Sequence, residues 1–128
     1  MEHNIKPGLT NKAEKRVKQH ETAAAYGSGL VEVYATPAMI AFMEKTALQV
    51  VADYLPEGYN TVGTRVDVRH LKATPVGMQV NCEAILKEVD GNKLTFEIEA
   101  YDEQGKIGTG IHQRFIIDEK KFMKNIGI

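Results

Sequence analysis

One stretch of helical periodicity, and only one, runs ahead of four stretches of two-residue alternation, and few architectures bury both kinds of apolar face at once. Met39, Ile40, Met43, Ala47, Val50, Val51 and Tyr54 recur at spacings of three and four, which predicts a helix with an apolar stripe. Pro37 suits the first helical position, where its missing N–H would have had no partner. Pro56-Glu57-Gly58 marks the stop. Ala38, Ala41 and Phe42 widen the stripe, so the helix is expected to be largely buried and wrapped by other elements.

The wrapping follows directly. Val62, Thr64, Val66, Val68 and His70 alternate with Arg65, Asp67 and Arg69, a strand with one apolar and one charged face. Thr74-Pro75-Val76-Gly77 turns the chain, and Met78, Val80, Cys82, Ala84 and Leu86 form the next apolar face. Asp90-Gly91-Asn92 is a hairpin signal, leading to Leu94, Phe96, Ile98 and Ala100. A turn around Asp102 to Gly105 introduces Ile107, Thr109, Ile111, Gln113, Phe115 and Ile117. Four strands joined by tight turns predict an antiparallel meander. One helix on a curved antiparallel sheet, an α+β arrangement, covers both apolar surfaces. The sheet's outer face is expected to carry Ile85, Tyr101, Gly108 and Gly110, and a second copy would cover part of it and protect an edge strand. Ahead of the helix, residues 13–20 suit a short edge strand or an arm, Ala23 to Gly29 a loop, and Val31, Val33 and Ala35 a brief extended segment.

Length and composition fit this reading. The 128 residues correspond to a single domain, with residues 1–12 expected as a weakly ordered arm. Lys and Arg number 16 against 17 Asp and Glu, a net charge of −1. The basic excess of a nucleic-acid binder is missing, and nothing favours adsorption to anionic membranes. Cys82 is the only cysteine, so no intrachain disulfide forms, and its place in an apolar face suits a small buried hydrophobe. Met1 to Thr10 is polar, and no run reaches the length needed to cross a bilayer. The default expectation is a cytoplasmic protein.

Three positions could carry chemistry. His70 ends an apolar strand face and should point toward the helix, where an imidazole can move protons near neutral pH; a core histidine at a strand end is the plain alternative. Glu44 lies within the apolar helix, where a carboxylate must be paired or hydrogen-bonded, unless it sits on an exposed strip beside Lys45 and Gln49. Thr36 precedes Pro37, where its hydroxyl meets the helix's positive end or simply caps it. A second polar pair, His112 and Arg114, shares a face opposite Ile111 and Phe115. Arg114 could pair with Glu44, hold a phosphate or serve a structural salt bridge. The four histidines show no metal-ligand spacing, and no nucleophile elbow, P-loop or dinucleotide fingerprint is present.

Three blocks, in order across residues 33–117, resemble one family. Val33 to Glu44 (VYATPAMIAFME), Gly63 to His70 (GTRVDVRH) with Ala73 to Gly77 (ATPVG), and Ile107 to Arg114 (IGTGIHQR) are similar to the fluoroacetyl-CoA thioesterase-like family. The resemblance implies a hot-dog fold, a homodimer or dimer of dimers, and acyl-CoA thioester hydrolysis at the dimer interface. It implies a catalytic set of Thr36, Glu44 and His70, with Gly63 letting the acyl group approach backbone. His112 and Arg114 are taken as substrate-binding. Thioester hydrolysis requires only water and charge stabilisation, so no metal or redox cofactor is expected. The loop before the helix departs from the family: Gly27-Ser28-Gly29-Leu30 stands where the fluoroacetyl-specific enzyme has aromatic lid residues, so the reaction type carries over better than the substrate. A non-catalytic acyl-CoA-binding module is the alternative from another class, and an enoyl-CoA hydratase a third.

Overall fold

The structure, a computed structural model, describes residues 2–127. A strand at Thr10–Arg16 (β1) leads through a short helix at Ala23–Tyr26 (α1) into the long helix Thr36–Val51 (α2). Four strands follow, Tyr59–His70 (β2), Gln79–Asp90 (β3), Lys93–Asp102 (β4) and Gly105–Asp118 (β5), then a helix at Glu119–Asn125 (α3). The α+β arrangement expected from the sequence is present, with α2 lying on a five-stranded antiparallel sheet. Met39, Met43, Ala47, Val50 and Val51 are buried beneath it against Val80, Leu86, Leu94, Phe96 and Ile98. Burial of each large side chain contributes about 1.5–3 kcal/mol. Cys82 is buried among them, which pushes its thiol up to about 11. No helix among the described residues is long and apolar enough to cross a membrane.

The strand order is β1-β3-β4-β5-β2, which corrects the expected four-strand meander. Only β3, β4 and β5 are joined as neighbours, while β2 lies at the far edge beside β5. Residues 71–78 make the crossing. They are tied to the approach to α2 by the Tyr34 N–H bond to the Thr74 carbonyl at 2.8 Å and by a bridge between Val33 and Pro75. The crossing brings β3 beside β1, and α2 packs mainly over β3, with less against β1 and β4. The inner face of β2 is therefore poorly covered, and Val66 is 42% exposed.

Two bulges correct the expected faces. Thr64 is the extra residue between the Gly63–Arg114 and Arg65–Gln113 pairs, so Thr61 and Gly63 share the inner face with Val66, Val68 and His70, and the expected Val62 and Thr64 do not. In β5, Ile107 is extra between the Tyr101–Lys106 and Ala100–Gly108 pairs. From there the even-numbered residues turn inward: Gly108, His112, Arg114 and Ile116 are buried, while Ile111 and Phe115 are exposed. A bulge adds one residue to one strand and so inverts the alternation beyond it. Gly108 thus belongs under the helix rather than on the outer face; a Cβ there would lie 2.7 Å from Met39 Sδ and 2.9 Å from Met43 Cε. Gly110 also abuts the β2 backbone, where a Cβ would meet the Asp67 carbonyl oxygen at 2.3 Å.

Three smaller expectations also change. Ala23–Tyr26 is one helical turn, closed by Gly27 at φ 74°, rather than loop alone. Residues 31–35 make only isolated bridges, with Val31 exposed and Tyr34 and Ala35 both buried. The segment before β1 lies along the sheet, with Ile5 buried and the Gly8 N–H bonded to the Leu86 carbonyl at 2.8 Å.

Candidate active site

Helix α2 begins one residue earlier than Pro37. Ala35 is the N-cap, Thr36 the first helical residue and Pro37 the second. Thr36 is therefore not the cap, and its hydroxyl is free for another partner. That partner is His70, the last residue of β2, whose Nδ1 lies 2.8 Å from Thr36 Oγ1. The crossing segment makes this contact possible, because the Tyr34–Thr74 and Val33–Pro75 links hold the two chain stretches side by side. Thr36 is exposed and His70 half-buried. Burial lowers the imidazole's pKa below the usual 6.5, with the Lys72 backbone opposing, so the ring is neutral at pH 7. Nε2 is buried and has no hydrogen-bond partner among the described residues. An open hollow of about 360 Å³ fronts the pair, walled by Val33, Pro37, Leu71, Lys72 and Ala73. Around it, the Ala35 N–H is used by the Glu21 carbonyl and the Met39 N–H by the Ala35 carbonyl. The N–H groups of Thr36 and Ala38 remain as the orphan donors of the helix start, and the helix dipole makes this end positive.

Glu44 stands two turns further along α2, so its Cα lies roughly 12 Å from that of Thr36 at 1.5 Å per residue. Its side chain is 38% exposed and reaches toward β2 and β5: Oε2 is 3.9 Å from His112 Nε2, and a Cβ on Gly63 would touch it at 2.9 Å. Beneath it, Arg114 is only 6% exposed. Its Nε donates to Thr61 Oγ1 at 2.7 Å and its Nη2 to the Thr61 carbonyl at 2.8 Å. His112 Nδ1 lies 2.8 Å from the Arg65 carbonyl, which can only accept, so this nitrogen carries the hydrogen. Nε2 then accepts from Arg114 Nη1 at 3.1 Å. His112 is thereby fixed as a neutral ring. Burial is the main cause of its lowered pKa, opposed by the bond to Arg65 and helped by Arg114.

Within one protomer the five side chains and Gly63 thus fall into two groups. Thr36 and His70 meet at the mouth of α2; Glu44, Gly63, His112 and Arg114 meet at its middle. The guanidinium lies under Glu44, engaged with Thr61 and His112, and not on a surface where a phosphate would rest. Sequence reading missed Thr61 as its acceptor and also missed the hydrogen bonds that half-exposed Lys72 and buried Thr74 make to the buried carboxylate of Asp102. No periodicity marks contacts between residues so far apart in the chain.

A lone helix on a five-stranded antiparallel sheet in this order, with a hydroxyl–imidazole pair at the helix mouth, defines a hot-dog domain of thioesterase type. The family model described as Fluoroacetyl-CoA-specific thioesterase matches residues 17–120, and the chain belongs to that family. The fluoroacetyl-CoA thioesterase of Streptantibioticus cattleyicolor is 38% identical over 91 residues, a segment covering 71% of this chain and 66% of that enzyme, just under two-thirds of its length. A solved structure of fluoroacetyl-CoA thioesterase superposes with a TM-score of 0.91 at 31% identity, covering 96% of each chain. A Thermus thermophilus hypothetical protein described as a thioesterase superfamily member gives 0.88 at 30% identity, covering 96% of this chain and 91% of that one.

Proposed function

We propose that this protein hydrolyses a small acyl-CoA thioester to the free acid and CoA, at a site completed by a second copy of the chain. The observation that carries the reading is the 2.8 Å contact between Thr36 Oγ1 and His70 Nδ1 at the open start of α2. A hydroxyl bonded to a neutral imidazole is the arrangement that activates an oxygen nucleophile. The thioester carbonyl lies in the hollow with its oxygen toward the Thr36 and Ala38 N–H groups, where one well-placed donor is worth about 3 kcal/mol in the transition state. His70 takes the proton of the attacking oxygen, from Thr36 itself or from a water held on it. The tetrahedral intermediate then collapses, the C–S bond breaks, and the same proton passes to the departing CoA sulfur. If Thr36 attacks, a water repeats the cycle on the acyl-threonine and frees the acid. A solved relative was crystallised with fluoroacetate and CoA, in keeping with CoA-ester chemistry.

The separation of Glu44 from Thr36 and His70 is what calls for the second copy. β2 is a twelve-residue edge strand with an uncovered inner face, a ready template for pairing. Antiparallel pairing of β2 with its copy about a two-fold near Val66 sets His70 near the partner's Gly63, beside which the partner's Glu44 lies. Each site of the homodimer then holds Thr36 and His70 from one protomer and a carboxylate from the other, and a dimer of dimers repeats the unit. That carboxylate steadies the imidazolium formed during the reaction or orders the water. The setting we assign is the cytoplasm. Thiol release from short, branched and aryl acyl-CoAs tests the reading. Turnover that disappears in His70→Ala and Glu44→Ala variants of native fold supports it; unchanged turnover in both removes these residues from the reaction.

A further inference from the structure

We infer that Lys72 is a substrate-recognition residue that binds an anionic oxygen group of the ligand at the rim of the Thr36–His70 hollow, with Asp102 holding its ammonium in place. The inference rests on the reading above for the kind of ligand, a CoA ester.

Lys72 follows His70 by two residues and lines the same hollow. Of the side chains lining it, Lys72 is the only one charged at neutral pH. A lysine normally loses rotamer freedom, roughly 2 kcal/mol, when a ligand fixes it. Here much of that ordering is already done. Lys72 Nζ donates to Asp102 Oδ2 at 2.8 Å, and the Asp102 side chain is fully buried while that of Lys72 stays 38% exposed.

The carboxylate does not depend on Lys72 alone. Thr74 Oγ1 donates to the same oxygen at 2.9 Å, and the Gln104 N–H donates to Oδ1 at 2.8 Å. Burial raises the pKa of Asp102, but the bonds from Lys72, Gln104 and Thr74 together bring it below the usual carboxylate value. The acid therefore stays ionised, anchored from β4 and the crossing segment. An ammonium has three N–H donors; one goes to Asp102, and the others are left for a group entering the hollow. The other polar side chains lining the hollow, Ser28, Tyr34, Thr36 and His70, are neutral, so Lys72 would make its one charge-assisted bond there. Two parts of a CoA ester carry this chemistry: a carboxylate at the far end of the acyl chain, or a phosphate of CoA.

Non-hydrolysable thioethers separate the two and read binding without turnover. Calorimetry with S-propyl-CoA, S-carboxyethyl-CoA, S-propyl-pantetheine and S-carboxyethyl-pantetheine would compare wild type with Lys72→Met and Lys72→Arg. We expect Lys72→Met to weaken anionic ligands about tenfold or more, the scale of one lost charge-assisted hydrogen bond, and to leave S-propyl-pantetheine unchanged. Lys72→Arg should restore most of the loss, and Asp102→Asn should reproduce its pattern at smaller size. Loss confined to the carboxyethyl ligands identifies the acyl carboxylate; loss on both CoA thioethers but neither pantetheine identifies a phosphate. Equal affinity for all four ligands in Lys72→Met and wild type overturns the inference. So does an equal loss that includes S-propyl-pantetheine, which would mean that Lys72 and Asp102 only brace the loop. If the discriminating pattern holds but wild type cleaves no ester, the hydrolase reading alone fails.

Discussion

Thr36 shows how one hydroxyl can be diverted from a structural task. A threonine before a helix ordinarily caps it, but Ala35 takes the N-cap position and Thr36 turns to His70. Thr36→Ala should cut thiol release by about 10²–10⁴-fold, the range for a positioned proton-transfer group, while Thr36→Ser, which keeps the hydroxyl, should retain most of it. A similar rate in both variants would detach the hydroxyl from the reaction. Because burial lowers the His70 pKa, its neutral form survives below pH 6.5, so kcat/KM should hold through 6.5 and fall only at lower pH. Gly63→Ala should also impair turnover with little loss of stability. Its Cβ would displace Glu44 Oε2, the end of a flexible chain, yet crowd His112 Cε1 at 3.2 Å. His70 and Glu44 stood out in the sequence as polar groups on apolar faces, Thr36 by its place before Pro37, and Gly63 only through the family resemblance. Their grouping was not legible there, since it depends on where the chain crosses the sheet.

At the scale of elements, alternation located every long strand but misassigned faces around the extra residues at Thr64 and Ile107. Val80, Cys82, Ala84 and Leu86 on β3, and Leu94, Phe96, Ile98 and Ala100 on β4, point inward as their spacing predicts. On β5 the bulge at Ile107 inverted the reading, and the polar appearance of His112 and Arg114 concealed that they are core residues. A bulge leaves no mark in hydropathy; the two closely spaced glycines at Gly108 and Gly110 were the available hint. Their demands differ. In Gly108→Ala the new methyl meets methionine side chains that can shift, so a loss of about 1–3 kcal/mol is expected, as for ordinary overpacking. In Gly110→Ala it meets the backbone of β2, which cannot yield without breaking the β2–β5 ladder. Thermal unfolding should therefore show the larger loss for Gly110→Ala; equal midpoints would contradict the β5 register. His70 and His112 both titrate lower in the folded chain than the ordinary 6.5. Between those lowered values and 6.5 the unfolded chain binds more protons, so stability should decline as pH drops through that window and stay level above about pH 7.

For the whole molecule, the incomplete cover of β2 and the division of polar residues into two groups would both be resolved by the pairing of two chains proposed above. The sequence indicated an edge needing protection, and family resemblance pointed to a shared site, but neither indicated that β2 stands at an edge. Strand order decides that, and strand order depends on the residue 71–78 crossing, whose Pro75 and Gly77 read from sequence as an ordinary turn. The most direct test is subunit complementation. His70→Ala and Glu44→Ala proteins, each inactive alone, are mixed under conditions that exchange subunits, and thiol release is followed. Every mixed dimer should regain one intact site, and activity should return, whereas mixing Thr36→Ala with His70→Ala should restore none. No recovery from the first pair, with mixed dimers shown to be present, would contradict a site in which Glu44 acts across the interface.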